Sequence, residues 1–251
     1  LESHENYKGR SFFFPLSNEQ RQKSDYILKL LPDEGDTPSH LTDSILRFFI
    51  RTALLNQDEE KDLVNYSMLI HTTGKVNDHI EDQKIVNKVF EQLLDYKGIG
   101  KKILERLLKI AEGLIQDSEL RTKIIKFIIT NIGKRQVLII NHKEDSNNVD
   151  RVCNPSALFT FGIGGNIVSR GLTFNNLLTF FFSRNVKGKF QQNTYIQRAR
   201  MFGNRPYSKY FELCIPKGLY QNWGDCFIDH ELSIILGKKG ELIHIQRSTN
   251  R

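Results

Sequence analysis

The chain has 251 residues, 39% of them hydrophobic and 17 of them Phe, enough for one large domain or one domain with appendages. Its net charge of +7 is a moderate excess that fits a polyanionic partner without requiring one. No run has the apolar length needed to cross a membrane, and Cys153, Cys214 and Cys226 are too widely spaced for a CxxC unit or a metal site, as expected of buried or free thiols in a reducing cytoplasm. The N-terminus, Leu1 to Asn6, is polar, has no signal-peptide pattern and lacks an initiator Met, as expected of a piece of a larger protein.

Residues 1–38 are mixed: an aromatic patch at Phe12-Phe13-Phe14-Pro15, a polar stretch, and a loop from Pro32 to Pro38. Ser39 or Thr42 is then placed to cap a helix whose apolar face carries Leu41, Ile45, Phe48, Phe49 and Leu55. Val64 to Ile70 is a short apolar run before His71-Thr72-Thr73-Gly74 and reads as a buried strand. Asp78 to Leu94, Ile99 to Ile115 and Ser118 to Ile129 read as helices, making 79–130 a helical layer or insertion. Further strands are expected at Val137–Asn141, Ala157–Ile163, Leu177–Phe182 and Lys209–Ile215, a helix at Gln192–Phe202, and a helical tail after Lys217. Strands apolar throughout and alternating with helices indicate a mainly parallel sheet covered on both faces.

Two segments carry most of the chemistry. Gly164-Gly165-Asn166-Ile167-Val168-Ser169-Arg170-Gly171-Leu172-Thr173 is a glycine-rich turn after a buried strand. Gln197-Arg198-Ala199-Arg200-Met201-Phe202-Gly203-Asn204-Arg205-Pro206 is a short helix with closely spaced arginines. Arginine stays charged at any working pH and presents a planar fork of donors, so the pair suits phosphate. Two such elements at one end of a sheet point to a nucleotide or nucleic-acid machine and away from a small metabolic enzyme.

At these residues the chain resembles the second RecA-like domain of superfamily 2 helicases. Ser169-Arg170-Gly171 stands where motif V has its Ser/Ala-Arg-Gly turn, Ala199-Arg200 where motif VI has Gly-Arg, and Ser67 to Thr72 resembles the motif IV strand. More narrowly it resembles the Z1 domain, a helicase-related module named as an endonuclease and found in bacterial restriction and phage-defence proteins. That pattern is Gly-Gly-Asn, then Ser-Arg-Gly-Leu-Thr, then Gln-x-Gly-Arg-x-Phe-Gly-x-Arg. Here it reads Gly164-Gly165-Asn166, Ser169 to Thr173, and Gln197-x-Ala199-Arg200-x-Phe202-Gly203-x-Arg205. The chain departs from it or from ordinary helicases in three places: Ala199 replaces Gly, Gln197 is three residues before Arg200 instead of four, and Thr173 replaces an Asp that contacts ribose. No GxxxxGK[ST] P-loop occurs in the chain. The resemblance therefore implies a first RecA-like domain elsewhere in the full-length protein.

The resemblance makes Arg200 the leading candidate for an arginine finger, with Arg205 second and Arg198 third; motif V upstream is what favours this over a solvated basic helix face. Gly164, Gly165, Asn166, Arg170, Gly171, Thr173 and Gln197 are the candidate nucleotide-binding residues. An intradomain salt bridge for Arg170, and a ligand-free tight turn for the glycines, stay open. Thr72 and Thr73, by the same resemblance, are candidates for nucleic-acid backbone contacts, against local capping of a turn; His71 reads as a structural histidine. Asp95-Tyr96-Lys97-Gly98-Ile99-Gly100-Lys101-Lys102 resembles the hairpin of helix-hairpin-helix DNA binders, which adds Gly98, Gly100 and Lys101 as nucleic-acid candidates. A plain helix connection with a solvated Lys cluster is the favoured account of that segment. Glu81-Asp82-Gln83-Lys84 reads as a solvated charged face, Asp225, Asp229 and Glu231 lack a nuclease signature, and no metal site is expected.

The expected organisation is a helical approach over 1–60, a RecA-like helicase C-terminal-type α/β domain over 61–215 with its insertion at about 79–130, and a helical extension over 216–251. The expected function is the second motor domain of a DNA-dependent ATPase of a restriction or phage-defence protein. ATP and Mg would bind only with the P-loop domain present, so the isolated chain should be inactive and carry no cofactor. Expected partners are DNA, that P-loop domain, and a nuclease or methyltransferase of the same system, in the cytoplasm and away from membranes. Two alternatives are a non-catalytic nucleic-acid-binding scaffold that recruits a nuclease, and a nuclease domain in its own right.

Overall fold

The computed structural model describes residues 13–15, 25–34, 37–58, 60–72, 76–140, 146–165, 174–183 and 207–237. Its strands are β1 (Ile27–Leu31), β2 (Tyr66–His71), β3 (Arg135–Ile139), β4 (Phe159–Gly164), β5 (Leu177–Phe182) and β6 (Glu212–Pro216). Its helices are α1 (Thr37–Leu55), α2 (Val76–Leu94), α3 (Lys101–Leu114), α4 (Ser118–Asn131), α5 (Ser146–Cys153) and α6 (Lys217–Gly237). The six strands form one sheet in the order β1-β6-β5-β2-β4-β3, and every pairing is parallel. This is the RecA-like α/β architecture expected from the sequence.

All residues of β2, β4, β5 and β6 are buried. Parallel strands must be apolar on both faces because helices cover both. Side chains alternate across β2: Met68 and Ile70 join one core, Leu69 the other. The first core lies under α1 to α4 and centres on Phe48, Phe49, Phe90, Phe159 and Phe161. The second lies under α5 and α6 and gathers Phe13, Val152, Phe180, Phe182 and Trp223. Along β5 the alternation is interrupted where Ser67 pairs with Leu177 but Met68 pairs with Thr179, an irregularity that leaves Leu178 as an extra residue. Leu178 and Phe181 therefore face the first core, while Leu177, Phe180 and Phe182 face the second.

Within the helical layer, α1 and α2 lie against the strands, whereas α3 and α4 pack mainly on other helices. Asp117 caps α4, accepting from the amides of Glu119 and Leu120 at 2.8 and 3.2 Å. Helix α1 starts at Thr37, so Ser39 and Thr42 fall inside it and neither is its cap; the Thr42 hydroxyl donates to the Pro38 carbonyl at 2.8 Å. Four strands begin two or three residues from their expected starts, β2 at Tyr66 and β4 at Phe159 among them. β3 begins at Arg135, and β6 begins at Glu212 after a 3-10 turn at Ser208–Tyr210. The helix expected at Gln192–Phe202 lies outside the described residues.

Two features were not anticipated. One is β1, whose residues pair with β6 from Ile27↔Glu212 to Leu31↔Pro216. The other is a buried ion network where α1 crosses β6. Glu212 is fully buried and accepts from Arg47 Nε at 2.8 Å and Arg51 Nη2 at 2.6 Å. Ser44 Oγ and the Cys214 thiol also donate to its Oε1, at 3.2 and 3.0 Å. Burial alone would push the Glu212 carboxyl upward, but the Arg51 and Arg47 guanidiniums outweigh it and bring the pKa down to about 2.

Candidate functional site

In an open parallel sheet, ligands bind outside the carboxyl ends of the strands, where successive connections leave in opposite directions. Here that switch is centred on β2. The chain passes from β2 to β3 and back to β4 on one side, then crosses to β5 on the other. The three strand ends brought together are His71-Thr72, Gly164-Gly165 and Phe182-Ser183. The Thr72 amide donates to the Gly164 carbonyl at 3.3 Å, and the Ser183 amide to the His71 carbonyl at 3.0 Å. The Ser183 hydroxyl approaches the same carbonyl at 3.4 Å.

The residues at this edge are mostly small, which leaves room for a ligand to approach the backbone. Thr72 is 1% exposed, and its Oγ1 makes no hydrogen bond. His71 is buried beside the rings of Phe180 and Phe182, with centroids at 6.3 and 5.1 Å. Helix α2 begins four residues after Thr72, so its first turns stand at the same edge. Asp78, His79 and Asp82 there are all buried, and none is without an interaction partner. The expectation of a solvated charged face over 81–84 is corrected at one residue: Glu81 and Lys84 are exposed, but Asp82 is only 4% exposed. The signal was in the spacing. Asp78, Asp82, Val86, Phe90 and Leu93 fall on one stripe, and its last three members are core. Among the described residues no group of three His, Cys, Asp or Glu could hold a metal ion.

No Lys or Arg stands among the six residues at the ends of β2, β4 and β5. A phosphate at this edge would meet Lys and Arg side chains only from the connections that leave it: Lys75 after β2, Arg170 after β4, and the cations of 184–206 after β5. Of the sequence-derived candidates, the structure brings Thr72, Gly164 and Gly165 together at this edge. Thr73, Asn166, Arg170, Gly171, Thr173, Gln197, Arg200 and Arg205 lie outside the described residues. The anchors of their segments are fixed. Phe174 is fully buried after the first, and the Asn175 amide donates to the Cys153 carbonyl at 3.0 Å. After the second, the Tyr207 hydroxyl donates to the Asn175 carbonyl at 2.8 Å, and its ring meets Tyr66 edge-on at 5.4 Å.

Gly98, Gly100 and Lys101 sit apart from this edge, in the turn between α2 and α3. The Gly98 and Gly100 amides both donate to the Asp95 carbonyl, at 3.1 and 3.0 Å, and the Ile99 amide to Asp95 Oδ2 at 3.2 Å. A Cβ at Gly100 would overlap the Gln92 carbonyl oxygen, so the glycine is required by the close approach of the turn to the end of α2. With these amides engaged internally, a phosphate contact at this turn falls to exposed side chains such as Lys101.

With this geometry in view, comparison with known families gives one match: the model of the Z1 domain aligns with residues 40–232. The chain belongs to the Z1 domain family. The matched span runs from α1 into α6 and takes in the carboxyl edge and both arginine-bearing segments, while Phe13 and β1 precede it. No curated protein and no solved structure matches the chain. In this Z1 domain the three cysteines are buried and none is in a disulfide. Burial, then Asp150, raises the Cys153 thiol to about 11, and burial with the neighbouring Glu212 lifts Cys214 well above the usual thiol range. Among the described residues no helix is long and apolar enough to cross a membrane.

Proposed function

We propose that this Z1 domain is the second motor domain of a helicase-like, DNA-dependent ATPase in a restriction or phage-defence protein. The observation that carries the proposal is the switch at β2. The connection bearing Ser169-Arg170-Gly171 leaves β4, and the one bearing Arg200 and Arg205 leaves β5, at one end of the sheet on either side of β2. That end supplies small residues, a buried hydroxyl at Thr72 and no cation among its described strand ends. It suits one wall of a nucleotide cleft whose charge comes from the arginines.

In this reading the partner P-loop domain holds ATP and Mg. Arg200 reaches across to the transferred phosphoryl group and offsets its developing charge, with Arg205 in support. Gly164, Gly165, Asn166, Arg170, Gly171, Thr173 and Gln197 form the near wall. Thr73 and the backbone at Thr72, whose own hydroxyl is buried, meet the DNA backbone, and a nuclease or methyltransferase of the same system completes the machine.

The test is Arg200→Ala in the full-length protein, read by DNA-stimulated ATP turnover and by DNA binding. An arginine finger is worth roughly a thousandfold or more in turnover. A fall of that order with DNA binding retained is the expected result. Unchanged turnover removes the finger. Absence of any ATPase in the wild-type protein, with DNA binding intact, favours a scaffold that recruits a nuclease. Metal-dependent DNA cleavage by this chain alone makes it a nuclease domain instead.

A further inference from the structure

A surface helix on a globular domain needs one apolar stripe to bury against its core. Helices α3 and α4 each carry two. On α3, Ile103, Leu107 and Ala111 face inward, and on α4, Ile124 and Ile128 do the same. The second stripes, Leu104 and Leu108 on α3 and Ile125 and Ile129 on α4, floor a groove of about 480 Å³ between the two helices. Leu108 is 39% exposed. Tyr96 also lines the groove, together with Arg121, Thr122, Lys126 and Thr130.

The charge of that lining is one-sided: it contains two cations and no carboxylate. Arg121 Nη1 donates to the Ile115 carbonyl at 3.1 Å, and among the described residues neither Arg121 nor Lys126 has a carboxylate within ion-pair distance. Two other cations on the outer helices have counter-charges: Lys123 lies 3.6 Å from Glu119, and Arg106 lies 2.6 Å from Asp43. Two parallel rows of aliphatic side chains with a basic rim match an amphipathic helix that offers apolar residues at i, i+4 and i+7 and carboxylates beside them.

We propose that the α3–α4 groove is a docking site for an acidic amphipathic helix of a partner protein. The site is on the helical layer and uses none of the residues assigned to the nucleotide cleft, so it stands or falls independently of the motor reading. The partner's leucine-like anchors enter between Leu104 and Leu108 on one side and Ile125 and Ile129 on the other. Its carboxylates meet Arg121 and Lys126.

The experiment uses the 251-residue chain and two fluorescein-labelled, N-acetylated helical peptides with leucines at i, i+4 and i+7. The flanking polar positions are Glu in one and Lys in the other. Fluorescence anisotropy should show the Glu peptide binding at least tenfold more tightly than the Lys peptide. Leu108→Glu and Lys126→Glu, both at exposed positions, should each weaken the Glu peptide several-fold, and Arg121→Glu with Lys126→Glu should reverse the preference. Thermal melts of each variant establish that the fold is kept. Equal binding of the two peptides, or binding of neither, overturns the proposal. So does self-association that Leu108→Glu abolishes without any peptide binding, which would make the groove a contact between copies of this chain.

Discussion

Replacing Glu212 with Gln tests the buried charge network: the amide keeps the shape, removes the charge and turns one acceptor oxygen into an NH2 donor that faces other donors. In the native domain Glu212 stays ionised down to about pH 2, against 4.5 for an ordinary glutamate. A folded-state pKa held below the unfolded value stabilises above the unfolded pKa, and that contribution is lost as pH falls through the folded one. At about 1.4 kcal/mol per pH unit, the gap corresponds to about 3 kcal/mol, fully present at pH 7. The variant also leaves Arg47 and Arg51 buried without their counter-charge, and breaking such a network costs about 3–5 kcal/mol. Arg51 Nη1 is already buried with no hydrogen-bond partner, which removes any easy compensation. Urea denaturation followed by circular dichroism at pH 7 and pH 3 reads both terms. The expected cost of Glu212→Gln is about 3–5 kcal/mol at pH 7 and about 2 kcal/mol less at pH 3, where the unfolded wild-type glutamate has taken up its proton. A cost under about 1 kcal/mol at pH 7, or the same cost at both pH values, would refute the argument that this carboxylate is ionised and held by the two arginines.

Other expectations follow from packing and thiol chemistry. A Cβ on Gly162 of β4 would lie 2.8 and 3.0 Å from the two Val152 methyls and 3.3 Å from Leu69 Cδ1. Gly162→Ala should therefore cost about 1–3 kcal/mol in urea melts, and clearly less in a Val152→Ala background; an unaltered cost there would show that the crowding lies elsewhere. Gly100→Ala should lower the thermal midpoint by several degrees through its clash with Gln92, whereas Gly113→Ala, with open space around it, should not. With its pKa near 11, Cys153 carries on the order of a thousandth of its thiolate form at pH 8. Ellman's reagent should label all three cysteines slowly in native protein and rapidly in urea; one fast thiol under native conditions would place a cysteine at the surface.

Legibility in the sequence followed burial. Strand β5, Leu-Leu-Thr-Phe-Phe-Phe, is visible to the residue because it is covered on both faces and almost every position is apolar. Strand β1, Ile-Leu-Lys-Leu-Leu, is not. It lies at the sheet edge with every residue half-buried or exposed, and its Lys29 breaks the pattern without creating an alternation. Charged residues misled for the opposite reason. Glu212 stands in a buried strand and Asp82 on a buried helical stripe, and sequence alone does not show which charges have partners. Thr72 was read as a nucleic-acid contact and Gly164 and Gly165 as nucleotide-binding, two separate assignments, because each stands at the end of a legible buried strand. Their meeting with Ser183 across β2 depends on strand order, which no local pattern encodes.

The edge strand has a practical corollary for anyone expressing this domain. The family match begins at residue 40, after β1 and after Phe13, whose carbonyl accepts the Tyr26 and Tyr220 hydroxyls and whose ring stacks on Trp223 at 5.7 Å. A fragment trimmed to the matched span would leave β6, buried along its whole length in the intact domain, unpaired on one edge and would uncover Trp223. Bare parallel edges beside apolar surface recruit further strands, so such a fragment should precipitate or form intermolecular sheet. Beginning the fragment ahead of Phe13 avoids this: the aromatic clasp and β1 act as the domain's own protection against aggregation.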